Sequence, residues 1–276
     1  MRPFARDAVP GRGIALGSTI SVITLVVLIP LATVVFALRG ITPEQLAQAL
    51  LTPRALAAFR LTVVASLAAA CVDLAIGVYL AWVLVRFRFP GRRVLDALID
   101  VPLAIPTAVT GITLATLYGA NGWVGRVLEA HGIHVAYTPL GIGLALTFVG
   151  LPFVVRTVEP VLAELPRELD EAAAALGASR AQIARRVTLP LVFPAMLTGF
   201  ALSLARALGE YGSVVFISGN MPGRTEIAPL AIVTHLEEYD YQGAAAIATV
   251  LLVVSFALLF GINGLQRRLS VAKAAV

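Results

Sequence analysis

The chain has 276 residues, of which 59% are hydrophobic and only 13% charged, against the roughly 25% charged of a typical soluble domain. That composition excludes an ordinary soluble protein and points to a helical bundle in lipid. The single cysteine, Cys71, excludes an internal disulfide and a cysteine metal cluster, and it reads as a small buried hydrophobe.

A membrane-crossing helix needs about 20 mostly apolar residues. Runs of that kind predict helices near 13–38, 58–86, 95–119, 137–158, 192–217 and 243–266. The first is too long for the apolar region of a secretory signal, and no small-residue cleavage site follows it, so it is expected to be a retained first helix. After it, Thr42-Pro43-Glu44 has the composition of a helix start, which predicts a short surface helix within the loop 39–57. The second run holds one acid, Asp73, expected to bond to a neighbouring helix. Pro102 and Pro106 interrupt the third, which predicts a kinked segment with Thr107, Thr110 and Thr113 beside the freed carbonyls. For these threonines two readings stand, a pore lining or bonds to their own backbone. His131 and His134 follow in a loop that reads as solvated rather than metal-binding. Residues 218–242 read as an external loop.

Charge asymmetry gives the direction. With the N-terminus inside, fifteen lysines and arginines fall on inside segments and five on outside segments, the pattern of cytoplasmic loops. Both termini are therefore expected to be cytoplasmic. The net charge of +5 is accounted for as an orientation signal, and a nucleic-acid partner is not expected. The organisation reads as residues 1–57 (cytoplasmic N-terminus, first helix, external loop), a core over 58–266, and a cytoplasmic tail over 267–276.

Between the fourth and fifth runs lies a charged island with five arginines (156, 167, 180, 185, 186) and five acids (159, 164, 168, 170, 171). Pro166 suits the first turn of a helix, and Glu168, Asp170 and Glu171 sit at its positive dipole end. Ala172 to Ala175 favour helix. Gly177 supplies a left-handed stop. Ser179 and Gln182 have capping-box spacing for a second short helix, with Arg185 and Arg186 in its last turn. Pro190 then begins the return to the membrane. An island of this kind is either an ordinary amphipathic loop or a docking surface.

Within the fifth run, Arg206 and Glu210 are four residues apart and are expected to share one helix face. A charge at the bilayer centre costs about 2.5–3.5 kcal/mol, so both should point into the bundle or a subunit interface. They are either a contact for a passing anion or a structural ion pair. Gly209 and Gly212 permit close helix approach. Asn220 is either a substrate contact or a loop turn.

The chain lacks a P-loop, since its only lysine is Lys273. Energy for transport must come from a partner or an ion gradient.

The spacing Glu171-Ala172-Ala173, Gly177, Val187, Leu189, Pro190 resembles the EAA loop of ATP-binding-cassette importer permeases. The stretches Arg86–Arg92, Pro102 to Val109, Pro152–Val158, Ala207–Gly212 and Ile217–Asn220 are similar to the T-type (CysT) sulfate/thiosulfate permease family, in its sulfate/molybdate branch. The resemblance covers roughly residues 15–270. It implies an all-α membrane protein of type I importer fold, six spans, and no bound cofactor on this chain. ATP and Mg would sit on two copies of a cytoplasmic ATPase. A second permease of the W type and an external sulfate-binding protein would complete the assembly. It implies that Glu171, Ala172, Ala173, Gly177, Leu189 and Pro190 couple to the ATPase, while Arg206, Glu210, Thr107 and Pro106 are candidates for the substrate path. Molybdate or tungstate is the alternative cargo, and an ion-driven secondary transporter is a rival of another class.

Overall fold

Prolines and glycines mark where the helices start, break and stop. The computed structural model describes residues 12–274, with side chains over residues 13–266. Arg2 and Arg6, used above for topology, lie outside the described residues, as do the side chains of Arg12, Arg267, Arg268 and Lys273. Every regular element among the described residues is helical. Five helices are long and apolar enough to cross a membrane, or six if one bent pair counts as a single span.

The first span is α1 (Arg12–Ile23), a π turn (Thr24–Leu28) and α2 (Ile29–Phe36). The same pattern recurs in α10 (Arg180–Ile183), a π turn (Ala184–Thr188) and α11 (Leu189–Leu208). In each case a proline, Pro30 or Pro190, follows the π turn by two residues. Proline has no N–H, and its ring crowds the carbonyl four residues earlier. Those carbonyls, of Val26 and Arg186, belong to the widened turns, which absorb the proline without ending the helix. The expected break between a second island helix and a membrane helix is therefore corrected. Arg180–Leu208 is one helix of 29 residues, and Arg185 and Arg186 lie inside it.

Surface helix α3 (Pro43–Leu50) starts as read, with Thr42 and Gln45 closing a capping box. Next comes α4 (Pro53–Arg86), capped by Thr52. It begins five residues before the expected start. At 1.5 Å per residue its 34 residues span about 51 Å, longer than a bilayer core of about 30 Å. Its ends project beyond the apolar layer, which is why Arg54 and Arg60 are helical. Cys71 is exposed on this helix, contrary to the buried reading. An apolar residue facing lipid needs no protein partner.

The third span is two helices, not one. α5 (Arg92–Ala104) and α6 (Thr107–Tyr118) meet at 112°. Pro106 forces the residue before it out of the helical region, and Ile105 is extended, at φ −87° and ψ 135°. A short α7 (Trp123–Ala130) follows, then α8 (Pro139–Glu164), which runs six residues past its expected end. The island opens with α9 (Arg167–Ala175) before α10. The fifth run is also broken: α11 stops at Leu208 and α12 (Gly212–Ser218) restarts after Tyr211. Residues 218–242 contain α13 (Ala228–Glu237). The last helix, α14 (Tyr241–Ala274), continues into the expected tail with no change of element.

Helices α4, α8 and α11 pack against one another at the centre. Their apolar side chains form one cluster around Ala65, Ala145, Leu146 and Ala207 and another around Ala81, Val154, Val158 and Val192. Between these lies a small polar contact in which Ser203 of α11 donates to Asp73 of α4 at 2.5 Å, both buried. The expected interhelix bond of Asp73 is thus present. By contrast, the window that qualifies the first span has no residue buried within this chain.

Candidate functional site

Two regions carry the residues singled out in the sequence. The first is the island at one end of the bundle. Helix α9 has no buried residue. It closes with a Schellman motif, in which Gly177 N–H donates to the Ala174 carbonyl (2.9 Å) and Ala178 N–H to the Ala173 carbonyl (3.1 Å). This requires a left-handed residue, and Gly177 has φ +83°. Ser179 and Gln182 then form the expected capping box. Local caps, rather than a core, hold this segment. Glu171 and Ala172 are exposed, and Leu176 is 89% exposed, a large apolar side chain presented to the surroundings. Leu189 and Val192 line an apolar cleft of about 360 Å³ with Val78, Tyr79 and Trp82 of α4. Pro190 sits in the first turn of α11.

One contact at the island was not legible in the sequence. Asp170 of α9 pairs with Arg86 at 3.0 Å and accepts a hydrogen bond from Thr188 at 3.4 Å. Eighty-four positions separate the two charges in the chain, so no local spacing could reveal the pair. Nearby, Arg156 of α8 is bound by Asp96 and Asp100 of α5 and by Glu159, at 2.7–2.8 Å. The i,i+4 spacing of Asp96 and Asp100 was the available signal, since it puts two carboxylates on one helix face.

The second region is the meeting of the two broken helices. A Cβ at Gly111 would overlap the Ser213 carbonyl, and one at Gly212 would overlap Thr107 Oγ1. The restart after Pro106 is thereby pressed against the restart after Tyr211. Arg206 and Glu210 form an ion pair, with side-chain exposures of 31% and 2%. They do not share one continuous helix, as the spacing suggested. Glu210 lies in the break, where its Oε1 accepts from the Ser213 N–H and the Ser213 hydroxyl, each at 2.8 Å. It caps α12 while balancing the charge of α11. The structure brings Thr107 beside Gly212, two residues from Glu210, and so groups Pro106, Thr107, Arg206 and Glu210 around one junction. Thr113 lies apart, in a groove with Thr116, Asn121 and Trp123. Thr110 is buried and its hydroxyl makes no hydrogen bond among the described residues, so the backbone-bonded reading does not describe it. Asn220 takes φ +44° in a turn and bonds through its N–H to Ser218 Oγ, the geometry of the loop-turn reading.

At the end opposite the island, Arg54 binds Glu226 through two bonds of 2.7 Å, with the Glu226 side chain fully enclosed. Thr62 of α4 accepts from the Ala228 N–H at 2.8 Å. These contacts fix α13 to the start of α4. His131 Nδ1 lies 2.9 Å from the Val127 carbonyl, and His134 lies near Glu129.

Residues 73–271, from Asp73 in α4 almost to the end of α14, match the family of binding-protein-dependent transport system inner membrane components. The chain belongs to that family. Over 264 residues the permease is 46% identical to the sulfate transport system permease protein CysT of Salmonella typhimurium, covering 96% of this chain and 95% of that protein. The CysT protein of Escherichia coli is 45% identical over the same length. The probable sulfate transport system permease protein of Nephroselmis olivacea is 52% identical over 214 residues, covering 78% of this chain and 75% of that protein. Among solved structures, a chain of a bacterial alginate ABC transporter, in complex with an alginate-bound periplasmic protein, superposes with a TM-score of 0.76. It is 18% identical and covers 92% of this chain and 93% of that one. An inward-facing MetNI methionine ABC transporter chain gives 0.58 at 19% identity, covering 76% and 93%. These likenesses show the fold, that of a type I ABC importer permease. The permease is a multi-pass transport component of such an importer. Its work is translocation, and ATP hydrolysis belongs to a separate ATPase subunit. An external substrate-binding protein completes the family's transport system.

Proposed function

We propose that the permease is the T-type membrane subunit of an ATP-driven importer of sulfate and thiosulfate in a bacterial inner membrane, with both termini cytoplasmic. Its partners are a W-type permease, two ATPase copies carrying ATP and Mg, and an external sulfate-binding protein. Support for the cargo comes from the relatives named as sulfate permeases, matched across nearly the whole chain. One observation carries the mechanism: α9 has no buried residue yet lies in the chain between α8 and α11, two of the three central helices. A groove on the ATPase grips Glu171, Ala172 and Ala173. Closure of the two ATPases moves α9 as a rigid knuckle, because Gly177 and the two caps fix its shape. Leu189 and Pro190 pass that displacement into α11.

The other end of α11 is the junction of broken helices, which is the proposed gate. Arg206 meets the passing dianion there. Glu210 keeps Arg206 neutralised between passages, so the anion is held weakly enough to leave. Thr107, at the start of α6, offers a hydroxyl beside it. Alternating access follows when α11 and α6 change their angle at these breaks.

The test is ATP-dependent uptake by the full complex in proteoliposomes. The expected result is uptake of sulfate and thiosulfate that requires ATP and the loaded binding protein. Uptake driven by an ion gradient without ATP, or uptake of molybdate in place of sulfate, contradicts the reading.

A further inference from the structure

We infer that Asp170 is a positioning residue, the strut through which displacement of α9 reaches α4 and the π turn. The inference rests on the reading of α9 as the ATPase-gripped helix and adds a route that the EAA spacing does not contain. The covalent links of α9 are short and open. Leu165 and Pro166, before it, are extended, at ψ 122° and 132°. Gly177 to Ser179 follow it, with Gly177 left-handed. Among the described residues, Asp170 carries the side-chain ion pair and hydrogen bond from α9 to other helices. One of its oxygens meets Arg86, the last residue of α4, and the other accepts from Thr188, the last residue of the π turn.

The chemistry suits a strut. A carboxylate held between a guanidinium and a hydroxyl resists both approach and separation, whereas apolar packing resists approach alone. Arg86 is the better shielded partner, with side-chain exposures of 16% for Arg86 and 32% for Asp170. Asp170 also stands in the first turn of α9, where the helix dipole favours its charge. The next residue, Glu171, points about 100° away around the helix, so one residue faces the bundle and its neighbour is left for the ATPase. At its far end α4 is fastened by Arg54–Glu226. The helix is therefore a rod with an ionic fastening at each end, and displacement applied at Arg86 reaches the α13 region without bending the core. A single partly exposed pair at the end of the bundle adds only modestly to stability, so its removal should leave the assembly intact and reduce coupling.

The experiment uses the full complex with its ATPase, second permease and binding protein. Asp170→Asn, Arg86→Gln, Asp170→Glu and the swap Arg86→Asp with Asp170→Arg are compared by sulfate taken up per ATP hydrolysed. For the two single neutralisations we expect co-purification with the ATPase and a ratio lowered about fivefold, the lower end of ordinary coupling between sites. Asp170→Glu and the swap should restore most of the ratio. An unchanged ratio in both neutralised variants overturns the strut. Loss of uptake and hydrolysis in proportion, with no rescue by the swap, also overturns it, because that is the signature of a merely structural pair. If the wild-type complex itself shows no ATP-dependent uptake, the reading of α9 fails, and the strut with it; if only the variants couple normally, the strut alone fails.

Discussion

The centre of the bundle and the island are held by opposite means. Where α4, α8 and α11 meet, Ala70, Ala81, Leu84, Val154, Val158 and Leu204 are sealed from the surroundings. In α9 and α10 no residue is buried, and caps, a Schellman stop and the Asp170 contacts give the segment its shape. Cohesion is thus concentrated where the permease must stay rigid, and free surface where a partner must grip. Substitutions should divide along the same line. Those in the centre should cost stability, and those in the island should cost transport.

The junction of broken helices gives the largest expected effect. Arg206→Ala leaves Glu210 enclosed with only the two Ser213 donors, and breaking such a pair costs about 3–5 kcal/mol. We expect loss of assembled permease, read as yield and unfolding temperature in detergent. Arg206→Gln with Glu210→Gln removes both charges and should assemble. Strongly reduced sulfate uptake by that double variant places the pair on the path, and normal uptake assigns it to structure alone. Next, Leu204→Ala empties a fully buried site at a cost of about 2–5 kcal/mol, seen as a lower unfolding temperature. Wild-type stability there would erase the contrast between the regions.

In the island, Gly177→Val forces a branched side chain into a left-handed conformation costing about 1–2 kcal/mol. That strain is local to the stop of α9. Uptake should fall while the unfolding temperature moves little; the reverse result would place Gly177 in the stabilising core. The smallest effect concerns the turn between α13 and α14. The Gly243 N–H, followed by the His235 side chain, holds the Asp240 carboxyl below its ordinary value despite partial burial. A carboxyl lowered in the folded state contributes fully above its unfolded value of about 3.9 and loses that contribution as pH falls through the lower folded value. Unfolding temperature should therefore be the same for wild type and Asp240→Asn in its pH dependence above about 5. The acid-side decline should be shallower in the variant, and an identical decline removes Asp240 from the account.

Local signals were legible in the sequence and nonlocal ones were not. Thr42-Pro43, Gly177 and Ser179–Gln182 each satisfy backbone groups within three to five positions, so their spacing encodes their structure. The six apolar runs were equally plain. Composition alone hid how they are interrupted, because an apolar run reads the same whether straight or bent. Pro106 marked the 112° break of the third span only as a kink. Gly209, in an otherwise favourable helix, gave no sign that α11 ends beside it. The pairs Arg54–Glu226 and Arg86–Asp170 depend on which ends of distant helices meet, a property of packing that no spacing carries.

The most direct test of the account is cross-linking of the island to the ATPase in the assembled complex. Leu176→Cys, placed in a Cys71→Ser background, puts a single thiol on the most exposed large apolar position of the knuckle. The account predicts an adduct with the ATPase subunit whose yield changes when ATP is added. No adduct under either condition, or a thiol labelled by a membrane-impermeant reagent in sealed right-side-out vesicles, contradicts it.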